Sequence, residues 1–359
     1  MIQLGDICTK ASSGIAQKDL ENCDGVYPIY GASGLIKYVD FYQQENPYVA
    51  VVKDGAGVGR VMQLPAKSSV IGTMQYIIPN EGISVHYLAY AMEHMNLAKY
   101  YTGATIPHIY FKDYCKENLQ SHTLNEQCHI ALVLDKIVSL ISLRKQQLAK
   151  LDELVKARFG EMFGHSSYPY RNLTDLIVEG MGISYGIVQP GEDGTGNMGV
   201  LRPVDLVDGD ISENSIKYID RKIGEGFRRT ELTGNELLIT VRGTTGITAL
   251  TDGRFAGMNV TRGIAVIRFD ETKVNPVYLN EYFKTDESQN YIQEHTRGAT
   301  LQQINLSDLR IQKILVPPMK TQDIFSGVVL RVKKSKLTIQ QSLDKLEVLR
   351  KSLMQEYFG

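Results

Sequence analysis

The sequence has 359 residues, 43% of them hydrophobic and 22% charged, with a formal net charge of −1 at pH 7. That balance excludes intrinsic disorder, which needs low hydrophobicity with high net charge, and the length favours two globular units over one. No run approaches the roughly 18 to 20 apolar residues of a membrane span, and the near-neutral charge excludes a uniformly basic nucleic-acid coat, so any DNA contact must rest on local features.

The first residues, MIQLGDICTK, lack a basic stretch followed by an apolar one, and a cytoplasmic protein without an export signal is expected. Cys8, Cys23, Cys115 and Cys128 form no Cys-x-x-Cys pair, which fits a reducing compartment better than a disulfide or zinc scaffold. His122, Cys128 and His129 lie near Cys115 at a spacing that matches no usual metal template, so no metal site is expected. Residues 49–52 (VAVV) and 74–79 (MQYIIP) are short β-type runs bounded by turn residues, and a helical stretch covers 86–98. Between the two runs stands Asp54 followed by Gly55-x-Gly57-x-Gly59. Such glycines cradle a nucleotide or S-adenosylmethionine when a helix follows. Here RVMQLPAKSSV follows, strand-like and broken by Pro65, so a hairpin turn is the stronger reading.

A long helix comes next, with apolar residues at Ile130, Leu134, Ile137, Ile141, Leu148, Leu151, Val155 and Met162. This three–four spacing is that of a coiled-coil seam, broken by Arg144 and Arg158. Some 37 residues at about 1.5 Å each give roughly 55 Å, longer than a small domain is wide. Beyond it, 237–243 (LLITVRG) and 263–269 (GIAVIRF) are again β-type, 276–291 is helical, and the turn from Arg242 to Gly246 matches the glycine-rich turn of the first half. A second long helix carries Phe325, Val329, Val332, Ile339, Leu343, Leu346, Leu353 and Tyr357 on its seam, interrupted by Lys336 and Arg350.

These halves are copies. GATIPHI at 103–109 recurs as GATLQQI at 298–304, and the same offset of 195 holds without a gap to the end. It pairs Asp113 with Asp308, Gln127 with Gln322, Leu148 with Leu343 and Leu151 with Leu346. It closes by pairing Glu161-Met-Phe-Gly164 with Glu356-Tyr-Phe-Gly359. A weaker match sets Leu4-Gly-Asp6 and Gly14 against Leu173-Thr-Asp175 and Gly182, at an offset near 169. The second copy therefore carries extra residues, expected between Gln189 and Leu232, where Gly, Asp and Asn crowd.

Covalent chemistry finds no support in motifs. The Asn46-Pro47-Tyr48 and Asn275-Pro276-Val277 runs lack the second proline of the loop with which adenine amino-methyltransferases grip their target. No phosphate loop, HExxH or GxSxG is present. Polar, glycine-rich turns remain. In the first half Lys53, Arg60, Lys67, Thr73 and Gln75 cluster; in the second, Arg228, Arg229, Arg242, Thr244, Thr245, Arg254, Asn259, Thr261 and Arg262 do so. Arg and Lys suit phosphates or guanine edges, and Asn and Gln suit adenine. Surface loops are polar in any protein, so residue by residue a bland solvated role stays open.

The order LGDI…G, GATIPHI, Asn118-Leu119, Asn125-Glu-Gln127, a long helix ending in MFG, and then a second copy resembles the specificity subunits of type I restriction–modification systems. Val316-Pro-Pro318 with Thr321-Gln322 adds to the likeness; Asn125-Glu-Gln127 lacks that double proline, so the two domain-to-helix corners are expected to differ. The resemblance covers nearly the whole chain. It implies a mixed α/β fold: target-recognition domains of short strands at 1–125 and 165–320, separated by spacer helices at 126–164 and 321–359 packed as an antiparallel coiled coil, with a pseudo-two-fold internal repeat. It implies that each domain reads half of a split double-stranded DNA site, and that the helix pair acts as a ruler for the unread spacer. Two modification subunits would methylate adenine at N6 with S-adenosylmethionine. Two motor–nuclease subunits would cleave unmethylated DNA with ATP and magnesium. The chain itself would be non-catalytic and hold no cofactor. In the GAT segments Gly103 and Gly298 permit tight turns. Thr105, His108, Arg297, Gln302 and Gln303 are expected to face DNA, and Ile106, Ile109, Leu301 and Ile304 to be core. Three rival readings stay open: a relative whose modification and cleavage functions sit on one partner chain, a methyltransferase using Gly55 to Gly59, and a protein-binding adaptor.

Overall fold

The computed structural model describes residues 1–103, 107–207, 209–299 and 301–359. It contains two compact units, one made of Met1–Gln147 with Ile339–Gly359, the other of Leu148–Thr338. The longer helices are α1 (Val85–His94), α2 (Leu124–Phe163), α3 (Pro276–Phe283), α4 (Asp286–His295) and α5 (Met319–Phe358). The division therefore falls inside α2 and inside α5, and each unit takes part of both.

Unit 1 is built on β1 (Cys8–Ser12), β2 (Tyr27–Gly31), β3 (Gly34–Val39), β4 (Tyr48–Val52), β5 (Val61–Leu64), β6 (Ser69–Val70) and β7 (Met74–Pro79). Among the described residues these make an antiparallel sheet in the order β1-β7-β4-β5 and a smaller one in the order β3-β2-β6, whose β2–β6 pairing is parallel. Unit 2 uses β8 (Ser184–Tyr185), β9 (Met198–Leu201), β10 (Lys217–Ile219), β11 (Leu237–Thr240), β12 (Thr248–Leu250), β13 (Asn259–Val260) and β14 (Ile264–Ile267). Their orders are β8-β14-β11-β12 and β10-β9-β13, with the β9–β13 pairing parallel. Strand order and pairing sense match throughout, so the duplication read from the GAT segments extends into the strands. Ala32 and Ser33 alone join β2 to β3, whereas residues 202–216 join β9 to β10, inside the stretch expected to hold the extra residues.

Central strands β4 and β11 are buried along their whole length, which is why both read as continuous apolar runs instead of alternating ones. In unit 1 one core joins Val49 and Val51 to Tyr87 and Leu88 of α1, Ile130 and Leu134 of α2, and Met354 and Phe358 of α5. Unit 2 repeats the plan with Leu237, Ile239, Tyr278 and Tyr282 against Phe163 of α2 and Phe325 and Val329 of α5. Phe358 lies 5.3 Å from the Tyr87 ring, and its repeat counterpart Phe163 lies 5.2 Å from Tyr278, ring centre to ring centre. Each core is thus completed by the last turn of the long helix whose first turn belongs to the other unit.

Within each unit the portions of α2 and α5 run antiparallel. Lys145 pairs with Glu347 at 3.0 Å in unit 1; in unit 2 Lys336 pairs with Asp152 at 2.7 Å while Phe159 meets Phe325 further along. Ile130, Leu134, Ile137, Phe325, Val329, Val332 and Leu343 are buried, and Ile141, Leu148, Leu151, Val155, Ile339, Leu346 and Leu353 are half-buried. The residues that interrupt the seam are half-buried too: Arg350 reaches Glu93 at 2.7 Å and Arg144 donates to Gln147 at 2.8 Å. Two helical expectations need correction. The stretch 86–98 ends at His94 because Asn96 turns left-handed, with φ of 49°. The stretch 276–291 is two helices, since the Thr285 hydroxyl accepts from Ser288 N and starts α4 afresh.

Phe358→Ala should cost about 3–5 kcal/mol in unit 1. Amide exchange would quicken in β4 and α1 while β11 and α3 keep their protection; Phe163→Ala should do the reverse. Equal loss in both units after either change would contradict separate cores.

Candidate nucleic-acid interface

Each central strand ends in a glycine turn that folds straight back. Val52 N donates to Arg60 O at 2.9 Å and Gly59 N to Val52 O at 2.8 Å; Thr240 N donates to Ile247 O at 2.8 Å and Gly246 N to Thr240 O at 2.9 Å. Gly59 has a φ of 85°, and a Cβ there would meet Ala98 N at 2.4 Å, so only glycine fits. Strand β5, not a helix, follows the turn. The glycines therefore serve a hairpin and offer no helix terminus to a phosphate.

The GAT segments dock on these turns by the same backbone bonds in both units. Gly55 N donates to Pro107 O at 2.9 Å and Ile109 N to Lys53 O at 3.0 Å; Gly243 N donates to Gln302 O at 2.9 Å and Ile304 N to Val241 O at 3.1 Å. In unit 2 the segment is a hairpin of β15 (Thr296–Arg297) and β16 (Gln303–Ile304). Gly103 and Gly298 have φ of 99° and 103°, values that favour glycine. Ile109 and Ile304 are buried as core, whereas Leu301 is 48% exposed at the hairpin tip, against its expected core role. Thr105 and Ile106 lie outside the described residues.

This docking gathers different side chains on one backbone plan. In unit 1 Lys53, Asp54, Thr73 and His108 meet: Lys53 and Asp54 both donate from the backbone to Thr73 O, Lys53 Nζ lies 3.5 Å from Asp54, and His108 Nδ1 contacts the Asp54 carboxylate. The His108 ring packs 4.1 Å from Tyr110. In unit 2 Val241 N donates to Gly263 O at 2.8 Å, which puts Arg242 and Arg262 at the same end of the sheet, and Gln303 bridges to Arg242 through the backbone. Thr244 is exposed in that turn, next to Gly243, whose N–H donates to Gln302 O on the GAT segment, and Thr261 is half-buried beside Arg262. Among the described residues no carboxylate lies within ion-pair distance of Arg60, Arg228, Arg229, Arg242 or Arg262. No group of His, Cys and carboxylates there forms a metal-binding cluster, and no helix is long and apolar enough to cross a membrane.

Residues 1–153 and 204–347 match the family described as Type I restriction modification DNA specificity domain, well over half of the chain. The chain belongs to this family. The type I restriction enzyme EcoBI specificity subunit of Escherichia coli is 23% identical over 150 residues, which is 42% of this chain and 31% of that relative, so the alignment spans under a third of its length. Among solved structures, the S subunit of a type I restriction–modification system from M. genitalium superposes with a TM-score of 0.63 at 15% identity, covering 100% of this chain and 95% of that one. A chain from a structure described as the structural basis of complex assembly and conformational transition of the type I R-M system gives 0.57 at 14% identity, covering 99% and 96%. These superpositions establish the specificity-subunit fold.

Several expected DNA-facing residues are braces instead. Gln75 is buried in β7 and accepts from the Tyr114 hydroxyl at 2.9 Å. Thr245 is buried and bonded to the Thr296 hydroxyl at 3.0 Å. Asn259, fully buried, accepts from Thr230 Oγ1 at 2.8 Å and donates to Phe227 O at 3.1 Å. All three satisfy partners that burial would otherwise leave unpaired. Arg254 is held by Glu213 and Asp252, Arg297 lies 3.8 Å from Asp308, and Lys67 lies 3.7 Å from Glu45, which reduces their charge toward a ligand. Arg60 donates to Ala32 O at 2.6 Å and remains exposed.

Arg228 and Arg229 line a cleft of about 410 Å³ in unit 2 with Tyr185, Phe227 and Arg310. Tyr185 and Arg310 are more than a hundred residues apart and share no motif, so only the fold links them. The arginine-bearing segment hangs from a buried brace. Arg268 donates to Arg229 O and to Glu231 O at 2.6 Å, and its Nε lies 3.6 Å from Glu236. Glu236, with no exposed surface, accepts from Thr233 N and Oγ1 at 2.8 and 2.7 Å, from Gly234 N and Asn235 N at 3.0 Å, and from Thr251 Oγ1 at 2.8 Å. Burial alone raises its pKa, but the bonds from Thr233, Thr251 and Gly234 outweigh it and hold the carboxyl below its ordinary value.

A depressed carboxyl stabilises the fold above its unfolded pKa of about 4.3, and that contribution is lost as the pH falls through the folded value. Glu236→Gln should therefore destabilise unit 2 by about 2–3 kcal/mol at pH 7 and flatten its acid-unfolding profile below about pH 4.3. Urea melts across that range check it; an unchanged acid profile would show that Glu236 is not the titrating group.

Proposed function

We propose that the chain is a non-catalytic, sequence-specific DNA-binding subunit that reads a split double-stranded site, one half with each unit. The observation that carries this is the repeated docking of the GAT segments: identical backbone bonds present Lys53, Asp54, Thr73 and His108 in one unit and Arg242, Arg262, Gln302 and Gln303 in the other. A shared frame with different hydrogen-bonding side chains suits two different half-sites, because base identity is read by donor and acceptor pattern. In this reading the chain acts in the cytoplasm with two modification subunits, which methylate adenine N6 using S-adenosylmethionine, and two motor–nuclease subunits, which use ATP and magnesium. Membership of the specificity-subunit family supports that division of labour. So does the net charge of −1, since partner subunits would supply phosphate contacts that this chain lacks overall.

Co-expression with the methyltransferase encoded beside it, in a methylation-free host, should give N6-methyladenine at a split motif of fixed spacer, lost when this chain is omitted. Arg242→Ala or Arg262→Ala should relax one half-site by roughly 5- to 150-fold per base pair, the range of a bidentate base contact worth about 1–3 kcal/mol. A uniform loss across unrelated DNA would reduce these arginines to phosphate contacts. Methylation with no preferred sequence, from a folded complex, would favour the adaptor reading.

The two long helices serve as the ruler in this proposal. Four residues inserted after Lys150 and four after Lys336 add about 6 Å to each helix. The preferred spacer should lengthen by about two base pairs at roughly 3.4 Å each. The same site after both insertions would sink the ruler.

A further inference from the structure

We propose that Gln127 and Gln322 are positioning residues: each fixes the direction in which its long helix leaves its recognition unit, and so sets the spacer length the complex accepts. This rests on the split-site reading above.

The two glutamines occupy equivalent places in the repeat, in the first turn of α2 and of α5, and are only 4% and 1% exposed. Gln127 Oε1 accepts from Ser84 N at 2.9 Å while its Nε2 donates to His122 O at 2.9 Å. Gln322 Oε1 accepts from Asn275 N at 2.8 Å while its Nε2 donates to Pro317 O at 2.8 Å. Ser84 and Asn275 are the N-caps of α1 and α3, the helices that carry Tyr87 and Tyr278 into the two cores. One buried amide therefore ties together the long helix, the chain entering it, and the capping residue of a core helix.

The side chains around these corners differ. In unit 1 Thr123 starts α2, and its N and Oγ1 donate to Glu126 at 2.7 and 2.9 Å. In unit 2 Pro317 and Pro318 replace that cap. Asp135 takes bonds from His86 and Tyr90 in unit 1, whereas Asp323 and Ser326 hold Asn275 in unit 2. The two corners share the glutamine and its two bonds. The task demands an amide: leucine fills the space but leaves a buried N–H and a carbonyl unpaired, and an ionised glutamate accepts without donating. Small angular errors at a helix start are amplified along it. A tilt of about 5° moves the far end of a 40-residue helix by about 5 Å, more than one base-pair step.

The test uses the complete methyltransferase complex and targets that differ only in spacer length: the native length, one base pair longer and one shorter. Gln127→Leu and Gln322→Leu should lower the preference for the native spacer by about tenfold, a change in relative free energy of about 1.4 kcal/mol, with both half-site sequences still read. Leu309→Ala, a fully buried core position that takes no part in the glutamine's hydrogen bonds, serves as the destabilised control: it should lower total methylation and leave spacer preference intact. If the leucine variants are lost from the complex, Gln127→Glu and Gln322→Glu carry the same comparison. A wild-type complex that methylates no split site overturns both the functional reading and this one. A split site whose spacer preference is unchanged in the glutamine variants, or changed equally by Leu309→Ala, overturns the positioning role alone.

Discussion

The structure depends on the burial of two aromatic side chains at the ends of two helices. Phe163 and Phe358 occupy the same place in the repeat, and each is buried among the aromatic and aliphatic residues of the unit to which its helix runs. Burying a phenylalanine is worth about 1.5–3 kcal/mol before any packing contribution. Unit 1 draws its phenylalanine from Ile339–Gly359, far along the chain from the rest of it, while Phe163 lies within the single stretch Leu148–Thr338 that makes unit 2. Both α2 and α5 are part of a core at each end as well as a connection.

That arrangement explains why the corners where the helices begin are built with buried polar groups. A helix contributing to one core at its start and to another at its end cannot be placed by apolar packing alone, which is non-directional. Gln127 and Gln322 add direction, since an amide that both donates and accepts is satisfied in few geometries. Other buried polar residues serve the same end inside the units. Glu236 fixes the turn before β11, and through Arg268 it reaches the segment carrying Arg228 and Arg229; Asn259 ties that same segment to β13.

The proposed recognition surface is then a matter of side chains on a backbone already determined. Gly55 and Gly243 donate to the GAT segments through main-chain bonds that are indifferent to the neighbouring side chains. Asp54 and His108 can thus stand where the other unit has Arg242 and Gln303 without disturbing the fold. Separating frame from lettering in this way allows the residues at the turn to differ between units while the strand order stays the same.

Much of this was legible in the chain. The GAT repeat, the three–four spacing of Ile130 to Val155 and of Phe325 to Leu353, and the all-apolar β4 and β11 are local patterns, and local patterns survive in one dimension. They determined a duplicated mixed α/β chain with two long helices and a glycine hairpin in each half. Tertiary structure alone decided which polar residues are available. Gln75, Thr245 and Asn259 looked like DNA-facing side chains and are buried partners of Tyr114, Thr296 and Thr230, while Leu301 looked like core and stands at a hairpin tip. The same holds for Arg310, brought beside Tyr185 and Arg228, and for Gln127, whose partner Ser84 lies in another helix's cap. A hydrogen-bonding side chain has the same composition whether it meets water, a base or a buried carbonyl; its surroundings are set by residues distant in sequence, and only the folded chain brings those together.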